Sequence, residues 1–272
     1  MNGLTNRLTN RLTKRLTERL TNIENLKQIF NRVDRRYFVE SPTVAYIDRP
    51  QPIPGAQTIS APHIHWMTLA HMWDRLQVWK RLHPQASSTL PRILDIGCGS
   101  GYVVALACAA LDYFSKQNPS YQLESSKIHV FGIEYLPSLV EYGKKCLETW
   151  ASEYTPLCQY QIVHKNGWEG DDTHQPYLFI NVGAQMDSVP RELLQQLMKE
   201  GALLGPLQND YILFTKGRTS NTYIKSNLTA VRFVPLIHPS ADRLPTKRNT
   251  VNARRGRRRS RTRRRRLKVF SK

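Results

Sequence analysis

The sequence predicts one doubly wound α/β domain, with a mainly parallel sheet and helices on both of its faces. Short apolar segments alternate with amphipathic helical segments from residue 91 to residue 237, and such alternation is typical of parallel strands joined by crossing helices. One strand, at residues 92–96, also runs through a glycine-rich turn directly into a helix. We place the domain at residues 23–240, between extensions at residues 1–22 and 241–272.

The first extension repeats Leu-Thr-X-Arg four times from residue 4. On a helix this repeat places its leucines along one broad stripe. We interpret residues 1–22 as a solvated basic extension. A mitochondrial presequence is the alternative, because the segment is rich in arginine and hydroxyl groups and carries only one acid, Glu18.

Two helices separated by a loop are predicted before the alternating region. Residues 23–38 form the first, since apolar residues recur there at helical spacing; they are Ile23, Leu26, Ile29, Phe30 and Val33. Residues 40–60 are rich in proline and predict an extended loop. A second helix follows Pro62, whose missing N–H is tolerated in a first turn. Its core face consists of Trp66, Leu69, Met72, Trp73 and Leu76.

The alternating region supplies the sheet and its crossing helices. Strands are predicted at residues 92–96, 127–135, 160–164, 177–183, 211–217 and 230–237. Helices are predicted at residues 101–114, 136–151 and 189–201, the last ending at Gly201. After Ile237 the chain becomes polar and then rich in arginine, so the domain ends there.

The net charge of +19 lies almost entirely in the two extensions. Residues 241–272 carry fifteen Lys and Arg side chains against one acid, and residues 1–22 carry five against one. The segment 254–268 is too charged to pack, so we interpret it as disordered. Dense arginine binds phosphates, which makes nucleic acid a candidate partner of this tail. A nuclear-localisation signal is the alternative.

Membrane spans and metal or disulfide frameworks are not expected. No apolar run approaches the ~20 residues that cross a bilayer, and the four cysteines lack paired spacing. This predicts reduced thiols and no zinc site. The thiols favour the cytoplasm, whereas residues 1–22 favour the mitochondrion and the arginine tail the nucleus.

The stretch LDIGCGSGY, residues 94–102, contains the most informative motif. Gly97, Gly99 and Gly101 alternate between a strand and a helix N-terminus, so a ligand can approach the backbone closely. The pattern is G-x-G-x-G and differs from the G-x-G-x-x-G of dinucleotide binders. With Asp95 just ahead of it, it suits a ligand that has an amino-acid end and no phosphate.

An acid at the tip of the next strand, Glu134, completes the predicted ligand site. Carboxylates in this place accept ribose hydroxyls. The spacing from the glycines exceeds the usual ~20 residues, because a polar insertion precedes the strand. The glycine turn and Glu134 together describe S-adenosylmethionine in a class I methyltransferase, whose fold is Rossmann-like.

At this point the chain resembles the protein-L-isoaspartate O-methyltransferase family. The matching stretches, in order, are VDRRYFV (33–39), AYIDRPQPI (45–53), QTISAPHIH (57–65), LDIGCGSGY, GIEY (132–135) and NVGA (181–184). The resemblance implies S-adenosylmethionine as cofactor, isoaspartyl-containing proteins or peptides as acceptors, protein repair as the role, and a monomer.

The family pattern assigns Ser60 to the active site, with Thr58 and His63 lining the same loop. The serine would hydrogen-bond the acceptor carboxylate, and Arg35 or Arg36 would complement its charge. A surface salt bridge of the arginine, and a helix-capping or packing role of His63, stay open as alternatives. Ser60 as a hydrolase nucleophile is disfavoured, since no G-x-S-x-G elbow surrounds it. Histidine metal ligands lack a third partner at suitable spacing.

Three departures from the family pattern favour a second hypothesis. Asn166, before Gly167, stands where relatives carry the aspartate that accepts the adenine amino group; an amide oxygen also accepts, without charge. Leu178 replaces an aspartate, and Gly201-Ala202 replaces two glycines. The changes at Asn166 and Leu178, together with the two basic extensions, motivate the alternative function: a weak or inactive member of the fold that acts as an RNA-associated structural subunit. Methylation of RNA itself is a third option.

Overall fold

The computed structural model describes residues 22–84, 88–124, 127–218 and 222–237, and a seven-stranded sheet forms its centre. The strands are β1 (Gln51–Ile53), β2 (Gln57–Ile59), β3 (Ser88–Thr89), β4 (Arg92–Ile96), β5 (Tyr121–Gln122), β6 (Ile128–Glu134), β7 (Gln159–His164), β8 (Tyr177–Val182), β9 (Leu197–Leu207), β10 (Asp210–Lys216) and β11 (Tyr223–Ala230). The central sheet has the order β11-β10-β9-β8-β4-β6-β7. β7, β6, β4, β8 and β9 are parallel, and β10 and β11 extend the sheet antiparallel.

The helices are α1 (residues 22–30), α2 (Pro62–Leu82), α3 (Tyr102–Gln117), α4 (Pro137–Tyr154) and α5 (Arg191–Gln195). α3 packs against both α2 and α4, and the three helices cover one face of the central sheet. The short α5 lies on the other face, with a smaller apolar cluster. Side chains of β4 alternate between the two faces, with Ile93 in the first cluster and Leu94 and Ile96 in the second. In the described part of the chain no helix is long and apolar enough to span a bilayer.

The predicted helix at residues 23–38 is shorter in the structure. α1 ends at residue 30 and a 3₁₀ turn follows at Arg35–Phe38. Asp34 begins this new turn: its carboxylate accepts a hydrogen bond from the backbone N–H of Arg36 at 2.9 Å and caps the turn. Ile23, predicted on the core face, is 45% exposed.

The helix predicted at residues 189–201 is also largely wrong. α5 occupies only five residues, and β9 begins at Leu197, two residues after its end. Gly201 does not stop a helix; it lies inside β9, where a bulge separates the pairs Tyr177–Leu197 and Phe179–Ala202. Glu200 has a left-handed φ of +62° at this bulge, which breaks the helical pattern that the sequence suggested.

The last predicted strand is displaced along the chain. β11 spans Tyr223–Ala230, whereas residues 231–237 form no strand apart from one isolated bridge between Pro235 and Gln185. Gln185 donates its N–H to the carbonyl of Val234 at 2.7 Å and accepts from the N–H of Leu236 at 2.8 Å. The segment is thereby held beside the loop that follows β8. The structure confirms the other five predicted strands, which correspond to β4, β6, β7, β8 and β10.

Candidate active site

The glycine turn lies where the parallel strands end. Gly97, Gly99 and Gly101 have φ angles of +68°, +52° and +82°, a conformation that favours glycine. Gly97 and Gly99 line two adjoining cavities. Gly101 lines neither: it precedes α3, and a Cβ there would lie 3.0 Å from Cγ of Leu147. Two of the three predicted glycines therefore face a ligand space, and the third allows close packing.

The two cavities share one wall. The larger has a volume of about 350 Å³ and lies between the end of β6 and residues 234–237. The smaller, of about 50 Å³, lies between the glycine turn, the loop that carries Ser60 and the N-terminal part of α2. Their common residues are Ile53, Thr58, Gly97, Gly99 and Gly183. A ligand that fills the larger cavity is consequently in reach of groups in the smaller one.

Asp95 is a buried carboxylate with one unused oxygen. It is 1% exposed and lines the smaller cavity. Its Oδ1 accepts a hydrogen bond from Nδ2 of Asn181 at 2.7 Å, and its Oδ2 has no partner. Burial raises the pKa of Asp95 to about 7; the Asn181 bond opposes this rise and the nearby Glu134 charge adds to it. The unpartnered oxygen is suited to a cationic group from a ligand.

Glu134 lies at the tip of β6 and borders the larger cavity. Its Oε2 accepts from the backbone N–H of Gly99 at 3.0 Å, and its Oε1 accepts from those of Tyr135 and Leu136 at 2.8 and 3.0 Å. A carboxylate has about four acceptor sites. Glu134 therefore fixes the glycine turn and keeps acceptor capacity on Oε2 for a hydroxyl in the cavity.

Ser60 and Thr58 are both placed at the cavities. Ser60 lines the smaller one and Thr58 lines both. The Ser60 hydroxyl forms no hydrogen bond with any described residue, while its carbonyl accepts one from Arg35. The backbone of this loop is thus held, and its hydroxyl is free to donate to a ligand.

His63 lies outside both cavities. Its ring is more than half exposed, and Nδ1 pairs with Oδ1 of Asp48 at 2.8 Å. The same carboxylate oxygen accepts from the His63 backbone N–H at 3.1 Å, so Asp48 caps α2. The structure therefore places His63 at the start of the helix rather than at a substrate. His65, two residues on, is the histidine that lines the smaller cavity.

Arg35 and Arg36 have different environments. Arg36 is exposed and forms a surface salt bridge with Asp34 at 2.5 Å. For Arg36, the structure therefore shows the salt bridge that the sequence left open as an alternative to substrate binding. Arg35 is fully buried and donates from Nε to the carbonyl of Ala45 at 2.7 Å and from Nη2 to that of Ser60 at 2.6 Å. It lines neither cavity and contacts the Ser60 loop from behind.

Asn166 does not line the cavities, whereas Gly167 lines the larger one. The Asn166 Oδ1 accepts from the backbone N–H of Trp168 at 3.0 Å, which closes a local turn. A Cβ on Gly167 would lie 2.5 Å from Cγ2 of Ile96. The glycine is therefore needed for close approach to β4, and the asparagine supports the turn.

The other two departures from the family pattern lie away from the site. Leu178 is 1% exposed and belongs to the main apolar cluster. Gly201 and Ala202 lie in β9 and border neither cavity. These two changes adjust the core of the sheet and leave the ligand space intact.

Several site residues were not predicted. Gly183 lines both cavities, and a Cβ there would lie 2.8 Å from the carbonyl oxygen of Gly97. Asn181, His65 and Tyr102 line the smaller cavity. The stretch NVGA (181–184) could have indicated Asn181 and Gly183, and the spacing of apolar residues along α2 could have indicated His65. Among the described residues, no cluster of three or more His, Cys, Asp or Glu side chains could hold a metal.

Comparison with known proteins gives one consistent family. The family described as protein-L-isoaspartate(D-aspartate) O-methyltransferase (PCMT) matches residues 6–241. The chain is 30% identical over 213 residues to protein-L-isoaspartate O-methyltransferase of Fervidobacterium nodosum, covering 77% of this chain and 92% of that protein. It is 30% identical over 229 residues to protein-L-isoaspartate O-methyltransferase 2 of Arabidopsis thaliana, covering 79% of this chain and 66% of that longer protein.

A solved structure agrees in fold. It is described as a putative protein-L-isoaspartate O-methyltransferase of Plasmodium falciparum in complex with S-adenosyl-L-homocysteine. Its TM-score with this chain is 0.60 at 26% sequence identity, and the match covers 78% of this chain and 90% of the other.

Proposed function

The chain belongs to the protein-L-isoaspartate O-methyltransferase family, and we propose that it methylates the free carboxylate of L-isoaspartyl residues in damaged proteins. The methyl donor of this family is S-adenosylmethionine. The observation that supports the activity in this particular chain is the junction of the two cavities. There the loop with the free Ser60 hydroxyl and the glycine turn share Thr58, Gly97 and Gly99 in one wall.

The residues present fit the cofactor. The unpartnered Oδ2 of Asp95 suits a positive charge, and the left-handed glycines leave their side of the cavity open. Asp95, Gly97 and Gly99 would hold the amino-acid end, and Glu134 would accept a ribose hydroxyl. Gly167 borders the space for the base. When bound, S-adenosylmethionine supplies an electrophilic methyl group on a sulfonium.

The chain's own task is placement of the acceptor. A side-chain carboxylate in water has a pKa of ~4, so the isoaspartyl group is ionised at neutral pH and no general base is needed. Ser60 donates its O–H to one carboxylate oxygen, and the other oxygen is left to form the new bond. Placement at a near-attack distance of ~3 to 3.5 Å supplies most of the rate enhancement available to such a site.

Replacing Ser60 with alanine is expected to lower kcat/KM for an isoaspartyl peptide by about 10- to 100-fold, because a hydrogen bond to a charged group is lost. Incorporation of labelled methyl measures this, with the aspartyl twin of the peptide as the unreactive acceptor. Affinity for S-adenosylhomocysteine, from calorimetry, should stay within about twofold.

Ser152→Ala, at an exposed site near the end of α4, is the matched control and should retain wild-type rates. If Ser60→Ala is as active as Ser152→Ala, Ser60 does not bind the acceptor carboxylate. A wild-type protein that binds the cofactor analogue and does not methylate the isoaspartyl peptide would overturn the proposed function itself.

We also propose that residues 241–272, which lie outside the described residues, bind nucleic acid. Fifteen Lys and Arg side chains support this, since each phosphate contact releases counterions. Truncation after residue 240 should abolish retention of RNA at low salt and leave peptide methylation unchanged. Equal RNA affinity of the two proteins would contradict the proposal. The comparisons do not support the alternative drawn from the sequence, a weak or inactive member of the fold that acts as an RNA-associated structural subunit.

A further inference from the structure

Arg35 joins three segments of the chain behind the loop that carries Ser60. Its side chain is fully buried. It donates from Nε to the carbonyl of Ala45 at 2.7 Å, from Nη1 to Nδ1 of His65 at 2.8 Å, and from Nη2 to the carbonyl of Ser60 at 2.6 Å. A guanidinium presents its donors in a rigid planar fork. Arg35 therefore fixes the positions of these three partners relative to one another.

Ser60 lies between two elements that are held by other contacts. On one side, Ile59 ends β2 and is paired with β1. On the other side, Asp48 accepts hydrogen bonds from the backbone N–H and the ring of His63, which holds the first turn of α2. The backbone of Ser60 thus connects a fixed strand to a fixed helix start, and between them its carbonyl is bonded to Arg35.

The direction of the Ser60 carbonyl determines where the Ser60 hydroxyl lies. Because peptide units are planar, the backbone of one residue has only two free rotations, φ and ψ. The carbonyl direction depends on ψ, and the side chain branches from the same Cα atom. The bond from Nη2 of Arg35 to this carbonyl therefore keeps Ser60 in the orientation in which it lines the smaller cavity.

Arg35 is itself held at its backbone and at its side chain. The hydroxyl of Tyr46 accepts a hydrogen bond from the Arg35 backbone N–H at 3.0 Å and donates to Oδ1 of Asp34 at 3.0 Å. Asp34 also caps the 3₁₀ turn that begins at Arg35. At the other end of the side chain, the guanidinium carbon lies 5.3 Å from the centre of the Tyr102 ring. The Asp34–Tyr46 pair therefore supports the position of Arg35 from the surface of the protein.

We propose that Arg35 is a positioning residue for the methyl transfer, and that it acts on the acceptor through the backbone of Ser60. The inference rests on the proposed function, in which the Ser60 hydroxyl binds the isoaspartyl carboxylate. Arg35 lines neither cavity, so its effect on the reaction passes through residues that do. Its task is to place the Ser60 hydroxyl, since a displacement of about 1 Å can cost a site about 100-fold in rate.

Arg35→Lys is expected to lower kcat/KM for an isoaspartyl peptide by about 10- to 100-fold at saturating S-adenosylmethionine. The lysine keeps the charge, but its donors lie on a single nitrogen and cannot reproduce the fork. In a Ser60→Ala background the loss should disappear, because no hydroxyl remains to be placed. The double variant should therefore match Ser60→Ala within about twofold. A general loss of structure would instead reduce the activity of Ser60→Ala further.

Arg36→Lys makes the same substitution at the exposed neighbouring residue; it is the matched control and should retain wild-type rates. Tyr46→Phe is a milder test at a residue that is 55% exposed. It removes the hydroxyl that holds the Arg35 backbone, and it should lower kcat/KM by about 3- to 10-fold, again only when Ser60 is present. Wild-type kcat/KM in Arg35→Lys, or losses that persist undiminished in the Ser60→Ala background, would overturn the proposal.

A structural measurement tests the positioning role without relying on activity. In crystal structures of Arg35→Lys and Tyr46→Phe with bound S-adenosylhomocysteine, Oγ of Ser60 should lie about 1 Å or more from its wild-type position. In Arg36→Lys it should not move. An unmoved Oγ in Arg35→Lys would refute the positioning role, whatever the rates are. A wild-type protein that methylates no isoaspartyl peptide, while Oγ moves as expected in Arg35→Lys, would instead refute the proposed function.

Discussion

Asp95→Asn is expected to bind S-adenosylmethionine about 10- to 100-fold more weakly than the wild type and, at pH 8, to unfold at a higher temperature when free of ligand. The two effects have one cause. Asp95 is a buried carboxylate whose Oδ2 has no partner within the protein. Its charge is unfavourable in the free protein and becomes favourable only beside a cationic ligand.

The stability effect depends on pH in a defined direction. Burial raises the pKa of Asp95 from 3.8 to about 7, so the folded state holds the proton more tightly than the unfolded state. The free energy of unfolding of the wild type therefore falls as pH rises from about 4 to about 7, by about 4 kcal/mol at most. Asparagine does not titrate. Asp95→Asn should gain stability relative to wild type across this range, and the difference should be constant above it.

Cofactor affinity should show the complementary dependence. Below pH 7 the free wild-type protein carries a proton on Asp95, and a cationic ligand must displace that proton. We expect its dissociation constant to rise about tenfold for each pH unit below about 7, and the slope to be absent in Asp95→Asn. Calorimetric titrations at pH 6, 7 and 8 measure the slope. Thermal unfolding at pH 5.5 and pH 8 measures the stability difference.

Asp112 provides the matched control for a buried aspartate. It is also 1% exposed, but both of its oxygens accept backbone hydrogen bonds, from Leu157 at 3.0 Å and Cys158 at 2.8 Å. Asp112→Asn turns an NH₂ group toward a backbone donor, so it should lower stability by about 1 to 3 kcal/mol and leave affinity unchanged. Unchanged affinity in Asp95→Asn, or a stability loss like that of Asp112→Asn, would contradict the assigned role.

The contrast between the two histidines of HIH shows what the sequence could and could not determine. Helical spacing could have placed His65 in the interior, because Leu69 and Met72, four and seven residues further on, share its buried face. His63 lies on the exposed side of α2, and its ring pairs with the carboxylate of Asp48. The partner Asp48 is fifteen residues away in a proline-rich loop, and no local pattern predicts where that loop returns.

Pairing between strands that are distant in the sequence also explains why one secondary-structure element was predicted wrongly. The strand from Arg92 to Ile96 and the glycine turn were recognisable because a buried strand, left-handed glycines and a helix start are all local features. The segment after Val189 has a helical pattern, yet Leu197 pairs with Tyr177 in the sheet. Pairing with an existing strand edge outweighs a propensity of a few tenths of a kcal/mol per residue.

Gly143→Ala is expected to destabilise the protein and weaken the binding of S-adenosylhomocysteine by about tenfold or more, although the residue belongs to no sequence motif. Glycine in the middle of a helix normally costs about 1 kcal/mol relative to alanine, so this substitution would ordinarily be stabilising. Gly143 lies within α4 and is buried. A Cβ built on it would lie 2.6 Å from the carbonyl oxygen of Gly99 and 3.1 Å from Cδ1 of Ile162.

The sign of the effect follows from what the new methyl group meets. The end of Ile162 can rotate away, whereas the Gly99 carbonyl belongs to the turn that lines both cavities and donates its N–H to Glu134. Moving α4 or the turn costs about 1 to 3 kcal/mol and displaces the wall on which a ligand would rest. Thermal unfolding and calorimetry measure the two losses, with Lys145→Ala, exposed on the same helix, as control. A Gly143→Ala protein with a raised melting temperature and unchanged affinity would show that the turn is not held by this contact.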